Sequence, residues 1–291
     1  MGRRTERRVI VLGVLAFIGL YAGALFLQRS EAADRSVEID VGDVRARDRI
    51  EVEAAVLHVD HKKGDVEIRL KFAPKGSLIG ADGFLLAKQV TLFVNSEVGG
   101  HERRFEKGRP ISPQDVVIKM YGGEFTDYPF DVFEATLELL LAADIDGKME
   151  TEPLAVFVKA NVPGLRIDVG EETRHAPGEA DVHFVISRSP LSLIVVMGVV
   201  LLYLMMTIAV VVLTWATVVR GLALDADILA YIAGLLFAFV AFRTTLPGEP
   251  PVGAVVDFLA FFWAEAIVAL CLGALVVTYV RRGLAEVSRT A

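Results

Sequence analysis

The apolar positions follow two different rules along this chain. Between Gln28 and Ser189 they recur at every second residue. Val66, Ile68, Leu70 and Phe72 alternate with Glu67, Arg69 and Lys71, and Val90, Leu92 and Val94 with Thr91 and Phe93. Phe133, Ala135, Leu137, Leu139 and Leu141 line one face of a longer run that carries Glu134, Thr136 and Glu138 on the other. Val182, Phe184 and Ile186 repeat the alternation. A period of two marks strands with one buried face. Lys62-Lys63-Gly64-Asp65 reads as a hairpin turn, and Pro74-Lys75-Gly76, Asp144-Ile145-Asp146-Gly147 and Val162-Pro163-Gly164 as further breaks. No stretch of this region has helical amphipathicity, and no repeat is present. Residues 28–189 are therefore expected to fold as an all-β sandwich of roughly seven to nine strands.

Outside that region the apolar residues run together. A bilayer core of about 30 Å needs about 20 apolar residues in a helix. Residues 9–27, 190–219, 228–246 and 252–280 each approach that requirement. The second run carries no charge from Leu191 to Val219, the third contains Arg243, and the fourth is interrupted by Asp257 and Glu265. Pro190 suits the first position of a helix. The fold class expected is a mixed membrane protein: a β-sandwich with one N-terminal and three C-terminal transmembrane helices.

Charge orients these spans. Lys and Arg collect at cytoplasmic ends. Arg3, Arg4, Arg7 and Arg8 precede the first run, Arg220 follows the second, and Arg281, Arg282 and Arg289 follow the fourth. Residues 1–8, the loop 220–227 and the tail 281–291 then lie inside, with 28–189 and the loop 247–251 outside. The expected location is the plasma membrane, with both termini cytoplasmic. The rival for the first run is a cleaved signal peptide, for which Ser30 and Ala32 supply small residues. A signal core usually spans only about 7–15 residues, so the longer run favours a retained anchor.

Composition adds little beyond this segregation. Hydrophobic residues make up 54 % of the chain and charged residues 23 %. Residues 28–189 hold 30 acidic against 21 basic side chains, which argues against nucleic acid as a partner. Cys271 is the one cysteine, so no internal disulfide forms.

Candidate chemistry is sparse. His58, Asp60 and His61 do not converge on a strand, because His61 faces away from the other two. No serine elbow, phosphate loop or dinucleotide fingerprint is present. No catalytic residue, metal ligand or cofactor is assigned. Ionisable residues within membrane spans are costly there and face a partner or water. Arg243 and Asp257 fall at similar depth across a short loop and are expected to pair, bracing two helices. Glu265 follows Asp257 by eight residues, about 12 Å along a helix and about 80° around it. It is expected to bond inside the bundle or, in the sharper version, to line a proton or ion path. Pro247, Gly248, Pro250 and Pro251 make that loop a stiff turn. In Tyr128-Pro129-Phe130-Asp131, Pro129 sets a turn, Phe130 is expected to anchor into the core, and Asp131 to cap backbone donors.

Two of these stretches together, Tyr128–Asp131 and Arg243 to Gly253 leading into Asp257 and Trp263, carry a resemblance. With the anchor, outer domain and three closing helices, the chain resembles the membrane-protein family catalogued as domain of unknown function 4436, found in actinobacteria and some fungi. The likeness is expected to run over nearly the whole chain and implies placement and architecture, not activity. The first motif also looks like the membrane-proximal loop of pentameric ligand-gated channels. This chain departs from those receptors in having a helix before the sandwich and three, not four, after it. The expected function is non-enzymatic: a sandwich that binds an envelope protein, a cell-wall component or a lipid. The alternative is transport, channel-like conduction or sensing through Arg243, Asp257 and Glu265, with an oligomer as one form of it.

Overall fold

In the computed structural model the described residues are 37–290, apart from 81, 82, 84, 146, 147, 171 and 172, together with the isolated positions 19, 23 and 29. The expected first helix, and the choice between anchor and cleaved signal, lie outside the described residues but for two positions. The chain forms two compact units: Met1–Gly123 with Val132–Leu191, and Glu124–Asp131 with Ser192–Ala291.

The first unit is built from strands. In chain order they are β1 (Val37–Gly42), β2 (Arg49–Asp60), β3 (Asp65–Lys75), β4 (Val90–Val94), β5 (Glu102–Phe105) and β6 (Gln114–Tyr121). There follow β7 (Val132–Ile145), β8 (Lys148–Thr151), β9 (Leu154–Ala160), β10 (Leu165–Val169), β11 (Arg174–Ala176) and β12 (Glu179–Arg188). Backbone pairing runs in the order β1-β9-β2-β3-β6-β7-β12-β10, with β4, β5, β8 and β11 attached at the sides. Every pair is antiparallel except β2 with β9, so the sheet is mixed. The join between β6 and β7 is narrow, with only Met120 and Tyr121 pairing to Ala135 and Glu134.

The expected alternation is present where it was strongest. Val52, Ala54, Ile68, Leu70, Leu92, Leu137, Val182 and Phe184 are closed to solvent. Twelve strands among the described residues exceed the expected seven to nine, because β5, β8 and β11 have only three or four residues each. Such lengths are too short for a period to show. The turn at residues 61–64 follows its expectation, with the Asp60 carboxylate accepting the N–H groups of Lys62 and Lys63 at 3.0 and 3.1 Å. A bulge between Val56 and His58 shifts the register just before it. Glu53 of β2 accepts from Lys71 of β3 at 2.9 Å and from Lys159 of β9 at 2.8 Å. Those two ammonium groups hold its carboxyl below the usual glutamate range.

The second unit contains α1 (Pro190–Arg220, beginning at the unit boundary), α2 (Ala226–Thr244) and α3 (Phe262–Thr290). All three helices are long and apolar enough to cross a membrane. Pro190 opens α1, as expected. The fourth run becomes helical later than residue 252, because Val252-Gly253-Ala254 turns before Val255 enters the helix. Gly253 holds φ at +91° in that turn, a conformation that a side chain disfavours. A wide turn, Asp257–Phe261, then leads into α3, with the Phe262 N–H donating to the Asp257 carbonyl five residues back. Tyr203, Phe239, Ile232, Val256, Val268 and Leu275 share the unit's buried cluster. At the far end Arg282 donates to the carbonyls of Leu222 and Thr217, at 2.7 and 2.6 Å. The last turn of α1 is thereby clasped to the later part of α3.

Candidate functional site

Within the helical unit the end of α2 and the start of α3 are joined through charge. Arg243, in the last turn of α2, donates from Nε to Asp257 Oδ1 at 3.1 Å and from Nη2 to Oδ2 at 3.0 Å. Nη2 also donates to the Pro251 carbonyl at 2.7 Å. The Gly253 N–H donates to Asp257 Oδ2 at 2.8 Å. Gly253 lies in the turn before Val255 becomes helical, so Asp257 reaches back past the helix start and ties that turn to it. The side chains are 12 % exposed for Arg243 and 1 % for Asp257. In the loop between them Gly248 supplies a turn at φ +79°, and Pro250 is buried.

The Tyr128–Asp131 segment joins this same unit, although it connects two strands. Tyr128 is fully buried in the helical cluster, and its carbonyl accepts the Val256 N–H at 3.2 Å. That satisfies one of the unpartnered first N–H groups of the helical stretch that begins at Val255. Tyr128 and Pro129 are linked by a cis peptide bond. Phe130 was expected to be the anchor, and it is not: its ring is 58 % exposed, while Tyr128 is inside. The physical reason lies in the turn. The Phe130 N–H is tied back to Asp127 O at 2.9 Å, so the ring two residues past Tyr128 emerges on the surface. Asp131 is buried.

Glu265 lies deeper along α3. It is half-buried, and its Oε2 is sealed from solvent with no hydrogen-bond partner among the described residues. The expected offset of about 80° from Asp257 assumed a regular helix. The wide turn carries one residue more than an α-turn and subtracts roughly 100° of rotation, which brings the two carboxyls nearly onto one face. Tyr203 of α1 packs on the wide turn itself, its ring 6.1 Å from that of Phe261. The phenol donates to the Phe239 carbonyl at 2.9 Å, and its ring packs edge-on against Phe239 at 5.0 Å. Reading the residues alone missed Tyr203. A tyrosine in that apolar run, which also holds Trp215, breaks no pattern.

The strand unit carries its own concavity, an open groove of about 620 Å³. Phe93, Asn95, His101, Glu138, Leu140 and Asp181 line it. Glu138 and Asp181 stand directly opposite each other on β7 and β12, while Phe93 faces Leu140 across β4 and β7. Asn95 fixes one wall, donating to Thr136 O at 2.8 Å and accepting the Glu138 N–H at 3.0 Å. His101 is held by a contact from Nδ1 to Val94 O at 3.3 Å. The groove thus offers carboxylates beside an apolar floor. Sequence reasoning did not find it, because its residues come from β4, β7, β12 and the β4–β5 connection, far apart along the chain.

No curated protein matches the chain. Two family models do, and they abut near the start of α1: residues 188–282 match Domain of unknown function (DUF8686), a range that holds α1, α2 and most of α3. The likeness expected over nearly the whole chain is therefore narrower, and the Arg243–Gly253 stretch belongs to this second model. Residues 40–186, half of the chain, match Domain of unknown function (DUF4436), and the chain belongs to that family.

Proposed function

We propose that this chain is a multi-pass membrane protein whose strand unit, a β-sandwich closed at the narrow β6–β7 join, stands outside the cytoplasm and binds a cell-envelope partner without catalysis. The observation that carries the reading is the groove on the strand unit, whose opposed Glu138 and Asp181 sit beside Phe93 and Leu140. Such a lining suits a partner that offers a basic group next to an apolar one, from an envelope protein or a cell-wall component. Orientation is supported within the helical unit. Arg220, Arg281 and Arg282 gather where α1 and α3 are clasped, as the cytoplasmic side of a membrane requires.

The test places a photo-crosslinking residue at Leu140 or at Phe93 in the intact protein in its own cells, with Val98, which is exposed, as control. A discrete adduct from the groove positions, lost on Glu138→Lys with Asp181→Lys, supports the reading. Adducts that are equal at Val98 or unchanged by the charge reversals overturn it.

A second reading is favoured by one feature, the sealed and unpartnered Oε2 of Glu265. In it the helical unit moves protons or ions. Glu265→Gln then abolishes flux into liposomes while leaving the fold intact, whereas the binding reading expects no flux in either protein.

A further inference from the structure

We infer that the Glu124–Asp131 segment is a lipid-contact element that presents the Phe130 ring to the headgroup–acyl boundary of the bilayer. The inference rests on the membrane reading of α1–α3. Tyr128 fixes the depth of the segment. Its side chain is fully buried in the helical cluster, and its carbonyl takes the Val256 N–H at 3.2 Å. Val256 directly precedes the stretch Asp257–Ala285 that is long and apolar enough to span. Phe130, two residues further on, is therefore held at the edge of the hydrocarbon, with its ring 58 % exposed. An exposed phenylalanine fixed at that level is in the place where aromatic rings collect in membrane proteins.

The surroundings agree. Phe258 and Trp263 of the same unit are both exposed, and Phe258 packs edge-on against Phe262 at 5.3 Å. Val252 is exposed as well. Through the Tyr128–Val256 tie, Phe130 is held at the same end of the helical unit as these exposed side chains. A second copy of the chain is a poor occupant. The segment exposes Glu124 and Asp127 and holds no basic residue, so a symmetric contact would oppose like charges. A zwitterionic lipid surface has no such penalty.

The experiment uses the full chain in phosphatidylcholine vesicles whose acyl chains are brominated either near the headgroup or near the chain end. Trp215 and Trp263 are the two native tryptophans, both exposed on the helices, and quenching of their fluorescence by either lipid reports insertion of the helical unit. Phe130→Trp in a Trp215→Phe, Trp263→Phe background then reports the segment. The expected result is blue-shifted emission, quenched more by bromine near the headgroup than near the chain end. Emission typical of a wet indole, quenched by aqueous iodide and not by brominated lipid, overturns the inference. If the native tryptophans are themselves unquenched, the membrane reading fails and takes the inference with it. Should the triple variant not express, a nitroxide on Phe130→Cys in a Cys271→Ser background answers the same question. There, collision with oxygen must exceed collision with a water-soluble nickel chelate, and the reverse order is the overturning result.

Discussion

Asp257 accepts three hydrogen bonds, two from Arg243 and one from the Gly253 N–H, while its side chain is closed to solvent. Removing one partner of such a pair leaves a buried charge with nothing to offset its desolvation, which costs about 3–5 kcal/mol. Asp257→Ala is therefore expected to lower the detergent-solubilised protein's unfolding free energy by that amount. Arg243→Met combined with Asp257→Leu should recover much of it, because neither charge then remains. Circular dichroism through thermal melts reads both, and a double variant no better than the single one refutes the bracing role. Tyr203→Phe removes one buried hydrogen bond to Phe239 O and is expected to cost about 1 kcal/mol in the same assay. The pair was legible before any coordinates, because charges stand out against apolar runs and their depths could be counted from the shared loop. Tyr203 was not, since a tyrosine in an apolar helix has no pattern to break. In Tyr-Pro-Phe-Asp, composition could not tell which of two rings turns inward.

At the scale of elements, the 124–131 segment shows what local chemistry leaves open. Tyr128→Ala is expected to cost the helical unit about 3–5 kcal/mol, as for other buried large-to-small aromatic changes. Phe130→Ala in detergent should shift stability by no more than about 0.5 kcal/mol, since its ring packs against little. Equal effects would mean that both rings are structural. In the strand unit, Glu53 ties β3 and β9 to β2 through Lys71 and Lys159, and those contacts lower its pKa. A carboxyl whose folded pKa is depressed stabilises fully above its unfolded value, near about 4.3, and the contribution is lost as pH falls through the lower folded value. Melting temperature should therefore fall on acidification below the ordinary glutamate range, and Glu53→Gln should flatten that fall. An identical pH profile in the variant removes Glu53 from the account. Strands with five or more alternating residues could be read from the chain, as with β3 and β7. The parallel β2–β9 pair could not, because it joins segments about 100 residues apart and periodicity says nothing of partners. The wide turn before α3 was equally hidden. Its backbone bonds, not its side chains, set the rotation between Asp257 and Glu265.

For the whole molecule the question is whether copies of the helical unit close around a pore. A ring-shaped channel needs polar groups on the face that each subunit turns to the axis. From Leu191 to Val219 α1 holds no charged residue, and the side chains it exposes there, such as Leu201, Met205, Ile208 and Val219, are apolar; its one charge is Arg220 at the end. The Thr214 and Thr278 hydroxyls are spent on carbonyls of their own helices, at 2.8 Å each. Arg243 and Asp257 are spent on each other and on the loop. What α1–α3 offer outward is therefore suited to lipid tails, while the polar set of Tyr203, Arg243, Asp257 and Glu265 faces into a single unit. The detergent-corrected mass of the purified protein is accordingly expected to be that of a monomer or a dimer. A closed ring of five would overturn this, because its axis would then have to be lined by a helix face that carries no charge. A monomer conducting ions through Glu265 remains compatible with the mass and is separated by the Glu265→Gln flux measurement alone. The two experiments together decide whether the charges inside the unit move something or only hold it together.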